Sequence, residues 1–458
     1  MRASGLLLVA ACAGPPEESP LSTPTVALEP CRIIGLDVEA HCADLPVEDG
    51  SLRITVIDPV SSAPRPDPLF VVDAWPAGGS TAHAEDLARV VAKVRSRRAI
   101  VLFDPRATST PGPACTIDPP LWGDPLLSLQ HVASMDPSCR FDPEAASTAT
   151  AAEDIDRIRQ ALGYEQINVL GLGFGTRPAM AWLTAHPDHA RSAILDGFAP
   201  GDLPLFADLD AHGARALDAT LDACAADEAC AAEYGDVRAR FDAIRPEPFS
   251  PMVARVNDPR TGMPIQAVFD RDGFDGLVRA ALYDPQRTAM LPYAIGQAHE
   301  DHWQPILALG TVSRHEIAEH TDTAAMLATL CPEDLPAAGT RDATTALAVN
   351  FRGACSNWGV RPGAPVPTPS VQAPTLLLSG GIDPVFPAHR TAETAPERLH
   401  NYRHAIAPGA GHGVATEGCT PYVIAAFLDT ADPAELDIAC IEAIERPGFF
   451  IGPLGPTP

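Results

Sequence analysis

The stretch Ile167 to Arg177, I-N-V-L-G-L-G-F-G-T-R, constrains this chain more than any other. Ile167, Val169 and Leu170 predict a buried strand, the glycines a sharp turn, and the residues from about Gly175 a helix. A strand that turns this tightly into a helix displays one residue at the helix N-terminus, the geometry of a nucleophile elbow. The N–H of the following residue, here Phe174, then points at a developing oxyanion. Gly171, Gly173 and Gly175 supply the frame of G-x-S-x-G, but the tip residue is Gly173, which has no side chain to attack with. The stretch predicts the scaffold of a serine hydrolase and withholds its nucleophile.

Around the elbow, short apolar runs alternate with helical patterns. Leu69 to Asp73, Ala99 to Phe103, Ala193 to Leu195 and Thr375 to Leu378 read as continuous buried strands. Helices are expected from about Ala82 to Arg97, Ala151 to Leu162 and Tyr422 to Leu428. Apolar strands separated by helices predict a mostly parallel sheet covered on both faces. Residues 205–350 change character: they are Ala-rich and mostly helical, with no comparable buried strand run, and read as an inserted helical lid. The expected organisation is a leader and Pro-rich tether over 1–30, the first part of a sheet domain over 31–200, the lid over 201–365, and the rest of the sheet domain over 366–458.

The formal net charge of -27 argues against nucleic acid, whose phosphates need clustered Lys and Arg. The N-terminal run M-R-A-S-G-L-L-L-V-A-A-C-A-G is too short to span a bilayer and resembles a secretion signal. Val9-Ala10-Ala11-Cys12 looks like a bacterial lipobox, with lipid on the Cys12 sulfur as the sole membrane attachment; an ordinary signal is the other reading. Setting Cys12 aside leaves ten cysteines, an even number suited to disulfides in an exported protein. Connectivity does not follow from sequence, but pairing of neighbours would close short loops: Cys31–Cys42, Cys115–Cys139, Cys224–Cys230, Cys331–Cys355 and Cys419–Cys440. They show no C-x-x-C zinc spacing, and neither metal nor cofactor is expected.

After the lid, Asp383 in S-G-G-I-D-P-V and His412 in G-A-G-H-G-V stand at the ends of predicted strands, where sheets of this class place their chemistry. An acid then a histidine, following an elbow, gives His412 the role of general base and Asp383 that of fixing its tautomer. Many segments in order extend the likeness: A-L-G-Y-E-Q-I-N-V-L-G-L-G-F-G-T-R, R-S-A-I-L-D-G-F-A-P, C-A-A-D-E-A-C, L-C-P-E-D-L-P, L-L-L-S-G-G-I-D-P-V-F-P and P-G-A-G-H-G. From about Cys31 to Phe450 the chain resembles the secreted bacterial tripeptidyl aminopeptidase and proline iminopeptidase family of α/β-hydrolases. The resemblance implies an α/β-hydrolase fold with an inserted helical lid, and a peptide or small amide as ligand.

The departures from that family fall on its catalytic side. Gly173 stands where the resemblance implies serine. The oxyanion loop aligns with Ala74-Trp75-Pro76-Ala77, where Trp75 would crowd the approach of backbone to substrate. D-P-R-A-T-S-T-P replaces the usual arginine-glycine turn from Asp104. Together they predict a scaffold that no longer performs serine-based acyl transfer, with an unusual nucleophile as the alternative. Ser80, read also as a helix N-cap, and Thr176 are the nearby hydroxyls. Glu333 and Asp334 match a lid motif in which an acid would hold a peptide's α-ammonium; the other reading is a surface helix end after Pro332.

Overall fold

The computed structural model describes residues 24–48, 50–73, 78–106, 143–248, 250–259, 261–319, 322–338, 346–364 and 366–452. Its centre is a nine-stranded sheet built from β1 (Glu29–Ile33), β2 (Leu36–Val47), β3 (Gly50–Ile57), β4 (Leu69–Val72), β5 (Ile100–Asp104), β6 (Ile167–Leu172), β7 (Ala190–Asp196), β10 (Thr375–Gly380) and β11 (Tyr402–Ala407), in the order β1-β2-β3-β5-β4-β6-β7-β10-β11. β1, β2 and β3 pair antiparallel and β3 joins β5 the same way; every pairing from β5 to β11 is parallel. The chain leaves β4 for β5 on one side and then crosses to β6 on the other, so the strand order reverses beside β4. Open parallel sheets bind ligands at such a reversal, outside the carboxyl ends of the strands.

The continuous apolar strands are explained by burial on two faces. On one face Leu69, Val71, Leu102, Leu170, Ile194, Leu376 and Leu378 pack with α1 (Ala88–Val94) and α13 (Thr420–Thr430). On the other, Phe70, Val72, Val101, Val169, Leu195 and Leu377 meet α2 (Thr148–Ala161) and α3 (Thr176–Ala185), where Trp182 is fully buried. Alternate residues of one strand thus serve opposite cores. The predicted helix from Ala82 is shorter than expected, because its start is tied down. Thr81 N–H donates to Asp104 Oδ1 at 3.2 Å, holding the preceding turns against the end of β5.

Between β7 and β10 lies the insert, mostly helical but carrying a strand hairpin besides. It holds α4 (Leu205–Ala226), α5 (Glu228–Tyr234), α6 (Val237–Ile244), the hairpin β8 (Met252–Asn257) and β9 (Pro264–Phe269), α7 (Arg271–Ala281), α8 (Pro285–His299), α9 (Gln304–Glu319), α10 (Thr323–Ala338) and α11 (Ala346–Trp358). The hairpin is antiparallel, with Ala254, Val256, Ala267 and Phe269 inward and Val253 and Val268 exposed. Its alternation is that of a half-buried strand, a different signal from the continuous runs of the main sheet. α12 (Ala388–Thr394) and α14 (Ala439–Glu442) complete the elements used below.

Among the described residues four disulfides join Cys31–Cys42, Cys224–Cys230, Cys331–Cys355 and Cys419–Cys440. Cys12 and the Cys115–Cys139 pairing lie outside the described residues. No helix among the described residues is long and apolar enough to cross a membrane.

The elbow helix α3 presses close to the sheet. A Cβ placed on Gly175 would lie 2.0 Å from the Val72 carbonyl oxygen, although its φ of -60° suits any residue. Gly175→Ala is therefore expected to destabilise the fold by at least about 2 kcal/mol through overpacking alone. Urea unfolding measures this, and an unchanged midpoint would contradict the close approach.

Candidate active site

β6 ends at Leu172, and Gly173–Gly175 form one 3-10 turn that runs into α3. Gly173 has φ +52°, the left-handed region that a displayed elbow residue occupies. A Cβ built there would lie 3.1 Å from His412 Nε2 and 3.6 Å from its Cε1, with no other described neighbour within 4 Å. Gly197, after β7, is the second bare wall: its Cβ would meet His412 Cε1 at 3.2 Å. The structure thus brings residue 173 and the imidazole face to face with only hydrogen on the glycine side.

His412 sits on the turn after β11, and Asp383 on the turn after β10. His412 Nδ1 lies 3.1 Å from Asp383 Oδ2, while Asp383 Oδ1 accepts from the N–H groups of Val385 and Phe386 at 2.7 and 2.9 Å. With Nδ1 donating to Asp383, the neutral ring turns the Nε2 lone pair toward Gly173. Burial opposes a charge on this imidazole. The Asp383 charge and hydrogen bond, with smaller help from Asp196 and Asp73, outweigh it and hold His412 above the ordinary histidine value. Aromatic rings enclose it: Tyr283 and Phe386 lie 5.6 and 5.7 Å away between centroids, and Phe174 packs edge-on against Phe386 at 5.7 Å.

The hydroxyls of Ser80 and Thr176 are both committed to backbone partners. Ser80 is fully buried, its Oγ donating to the Phe103 carbonyl at 3.1 Å and accepting the Phe103 N–H at 2.8 Å; it caps no helix. Thr176 Oγ1 donates to the Gly173 carbonyl at 2.7 Å and accepts from Ala199 N–H at 2.9 Å. Two described serines do meet an imidazole, neither of them that of His412. Ser379 Oγ, fully buried, lies 3.0 Å from His404 Nε2, with burial pulling His404 down to about 4, and the exposed Ser370 Oγ lies 3.0 Å from His400 Nε2. The oxyanion-loop residues Ala74 and Trp75 lie outside the described residues.

Glu333 and Asp334 match neither of their expected surroundings. α10 runs on through Pro332 and Pro336, and both acids are buried within it. Glu333 Oε1 accepts from Thr148 N–H at 2.7 Å and Oε2 from Thr148 Oγ1 at 2.6 Å, so this insert acid caps α2 of the core. Asp334 Oδ1 pairs with Arg177 Nη1 at 2.7 Å and Oδ2 accepts from Leu205 N–H at 2.9 Å. All four carboxylate oxygens are taken by donors of the chain itself. Arg177 belongs to the elbow motif and Asp334 to C-P-E-D, so this ion pair joins core and insert through two motifs that the sequence displays without their contact.

Asp196 also belongs to the site, though its place in R-S-A-I-L-D-G-F-A-P does not reveal its partners. It closes β7 and is buried; its Oδ2 accepts from the N–H groups of Val414 and Ala415, each at 2.7 Å. It therefore holds the turn that carries His412.

The family described as "alpha/beta hydrolase fold" matches residues 67–418. The chain belongs to that family. As an α/β hydrolase it is similar to "Serine protease Hip1" of Mycobacterium tuberculosis (strain ATCC 25618 / H37Rv) and of Mycobacterium bovis, at 31% identity over 175 residues. That stretch is 35% of this chain and 32% of the relative, so the chain spans only a minor part of the curated relatives it matches. Among solved structures, proline iminopeptidase of Mycobacterium smegmatis is 16% identical, covering 86% of this chain and 99% of that one with a TM-score of 0.41. Naproxen esterase of Bacillus subtilis is 11% identical, covering 87% and 93%, with a TM-score of 0.38.

Asp196 also gives this α/β hydrolase a pH signature. Burial pushes its carboxyl up to about 6, against the pull of the Ala415 and Val414 N–H groups and of His412. The unfolded value is about 4, so the stability this group contributes is complete below about pH 4 and is lost as pH rises through about 6. The unfolding free energy of wild type relative to Asp196→Asn is therefore expected to fall across that window. Two parallel pH–stability curves would refute the raised carboxyl.

Proposed function

We propose that this α/β hydrolase binds a peptide or small amide beside His412 and performs no serine-based acyl transfer, Gly173 standing at the position of the nucleophile. One observation carries the reading: the residue facing His412 Nε2 at the elbow tip has no side chain, while the hydroxyls of Ser80 and Thr176 are bonded elsewhere. The ligand class rests on the likeness to a serine protease and on the family resemblance of the sequence, and takes no support from Glu333 or Asp334, whose oxygens have internal partners. Loss of the covalent route removes the division of one hard step into two easier ones.

The alternative, a working hydrolase with an atypical nucleophile, is favoured by one feature, the intact Asp383–His412 pair. A fluorophosphonate probe separates the two readings. Wild type is expected to remain unlabelled, and a covalent adduct on any serine would defeat the first reading. Gly173→Ser is expected to gain labelling, because the new side chain starts 3.1 Å from Nε2, yet to recover little aminopeptidase turnover with Trp75 and Ala77 in the oxyanion loop. Robust turnover by that single variant would show the loop to be competent.

Export is part of the proposal, supported by four disulfides and the apolar leader. Lipid on Cys12 would hold the chain at a membrane surface. Mass spectrometry of membrane-fraction protein is expected to find a modified Cys12 at the N-terminus; an intact, unmodified Met1 start would refute the anchor.

A further inference from the structure

The insert touches both loops of the dyad. From α4, His212 Nδ1 bonds the Val385 carbonyl at 2.8 Å. A carbonyl only accepts, so Nδ1 carries the proton. Burial, with Arg390 and His389 of α12, holds His212 below the ordinary histidine value despite the Val385 bond and Asp208 on its own helix. At neutral pH it is therefore a neutral donor. The carbonyl it grips shares a peptide plane with the Phe386 N–H, which donates to Asp383 Oδ1 at 2.9 Å. A peptide unit is rigid, so tilting one end tilts the other. Bonding at the oxygen also polarises the N–H that serves the carboxylate.

The second contact is at the base. The His412 backbone N–H donates at 3.2 Å to the carbonyl of Tyr283, just beyond α7, and the Tyr283 ring lies edge-on to the imidazole. Gly411 makes the approach possible: a Cβ there would stand 2.6 Å from the Tyr283 oxygen. Its φ lies outside the left-handed region, so alanine would be excluded by this contact and not by its backbone conformation. The core contributes its own hold on the same turn through Asp196.

We propose that His212 is a positioning residue which, with the Tyr283 carbonyl, sets the alignment of Asp383 against His412, so that the insert is a working part of the dyad. The inference rests on reading Asp383–His412 as the functional pair, but not on whether the protein turns anything over. Displacing the insert loosens both loops at once and weakens the Asp383–His412 bond. His412 then loses part of the support that keeps its proton, while Asp383, Asp196 and Asp73 remain the carboxylates around it.

Histidine side-chain NMR of the 15N-labelled full chain, followed through a pH titration, reads this without a substrate. Asp383→Asn is expected to lower the His412 midpoint most. His212→Ala should lower it by about half a pH unit, roughly a threefold loss of proton affinity. His212→Gln, which keeps a donor for the Val385 carbonyl, should recover most of that loss. Gly411→Ala, which leaves His212 untouched, should lower the midpoint independently, and keeps the test decisive if His212→Ala does not fold. A fall in melting temperature with an unmoved His412 midpoint in folded His212→Ala and Gly411→Ala would reduce the contact to packing and overturn the proposal. An unmoved midpoint in Asp383→Asn would overturn the dyad itself, and this inference with it.

Discussion

A buried carboxylate at the end of a central strand holds the site together. Asp196 leaves β7 beside both the elbow strand and the acid strand, and its two bonds to Val414 and Ala415 draw the histidine turn over the carboxyl ends of β6 and β7. Such an arrangement is costly, because a buried carboxylate is stable only where donors meet it. The two N–H groups both meet Oδ2, while Oδ1 is buried without a hydrogen-bond partner, in keeping with the raised carboxyl. Besides this tether, the histidine turn is tied by the Tyr283 carbonyl, by the Asp383 bond to the imidazole and by the Ile382 N–H, which donates to the Ala410 carbonyl at 3.2 Å.

The tether works because two residues yield space. Gly173 and Gly197 both adopt positive φ, and both face the imidazole with bare Cα atoms. In a serine hydrolase one of those positions would present an oxygen to Nε2. Here the acid and the base persist in bonding geometry around a turn that displays nothing. The imidazole is held above its ordinary value by Asp383, with the rings of Tyr283 and Phe386 on its flanks.

Core and insert are joined by buried polar contacts as well as by apolar packing. Arg177 of the elbow helix pairs with Asp334, and Glu333 caps α2 through both oxygens. Removing one member of such a buried pair strands the other charge, so these acids are tied to the fold whatever the ligand. The sequence could place them in a motif; it could not say that their partners lay more than a hundred residues away. The same limit hid the hairpin β8–β9, whose alternating residues carry a weaker signal than the continuous runs of the central sheet.

The buried parallel strands, the turn at Gly173 and the places of Asp383 and His412 at strand ends were legible in sequence because each depends on local pattern: apolar runs, glycine spacing and residues that follow a strand. That glycine occupies position 173 was legible for the same reason, being the identity of one residue in a recognisable frame. Beyond the Asp383–His412 pair, the partners of the buried acids and of His212 were decided by tertiary structure. Asp196 at the histidine turn, His212 at the acid loop and the inward-facing Glu333 and Asp334 are contacts between segments far apart in the chain. A side chain's partner there is set by the packing of layers, and nothing in its neighbours along the sequence records that packing.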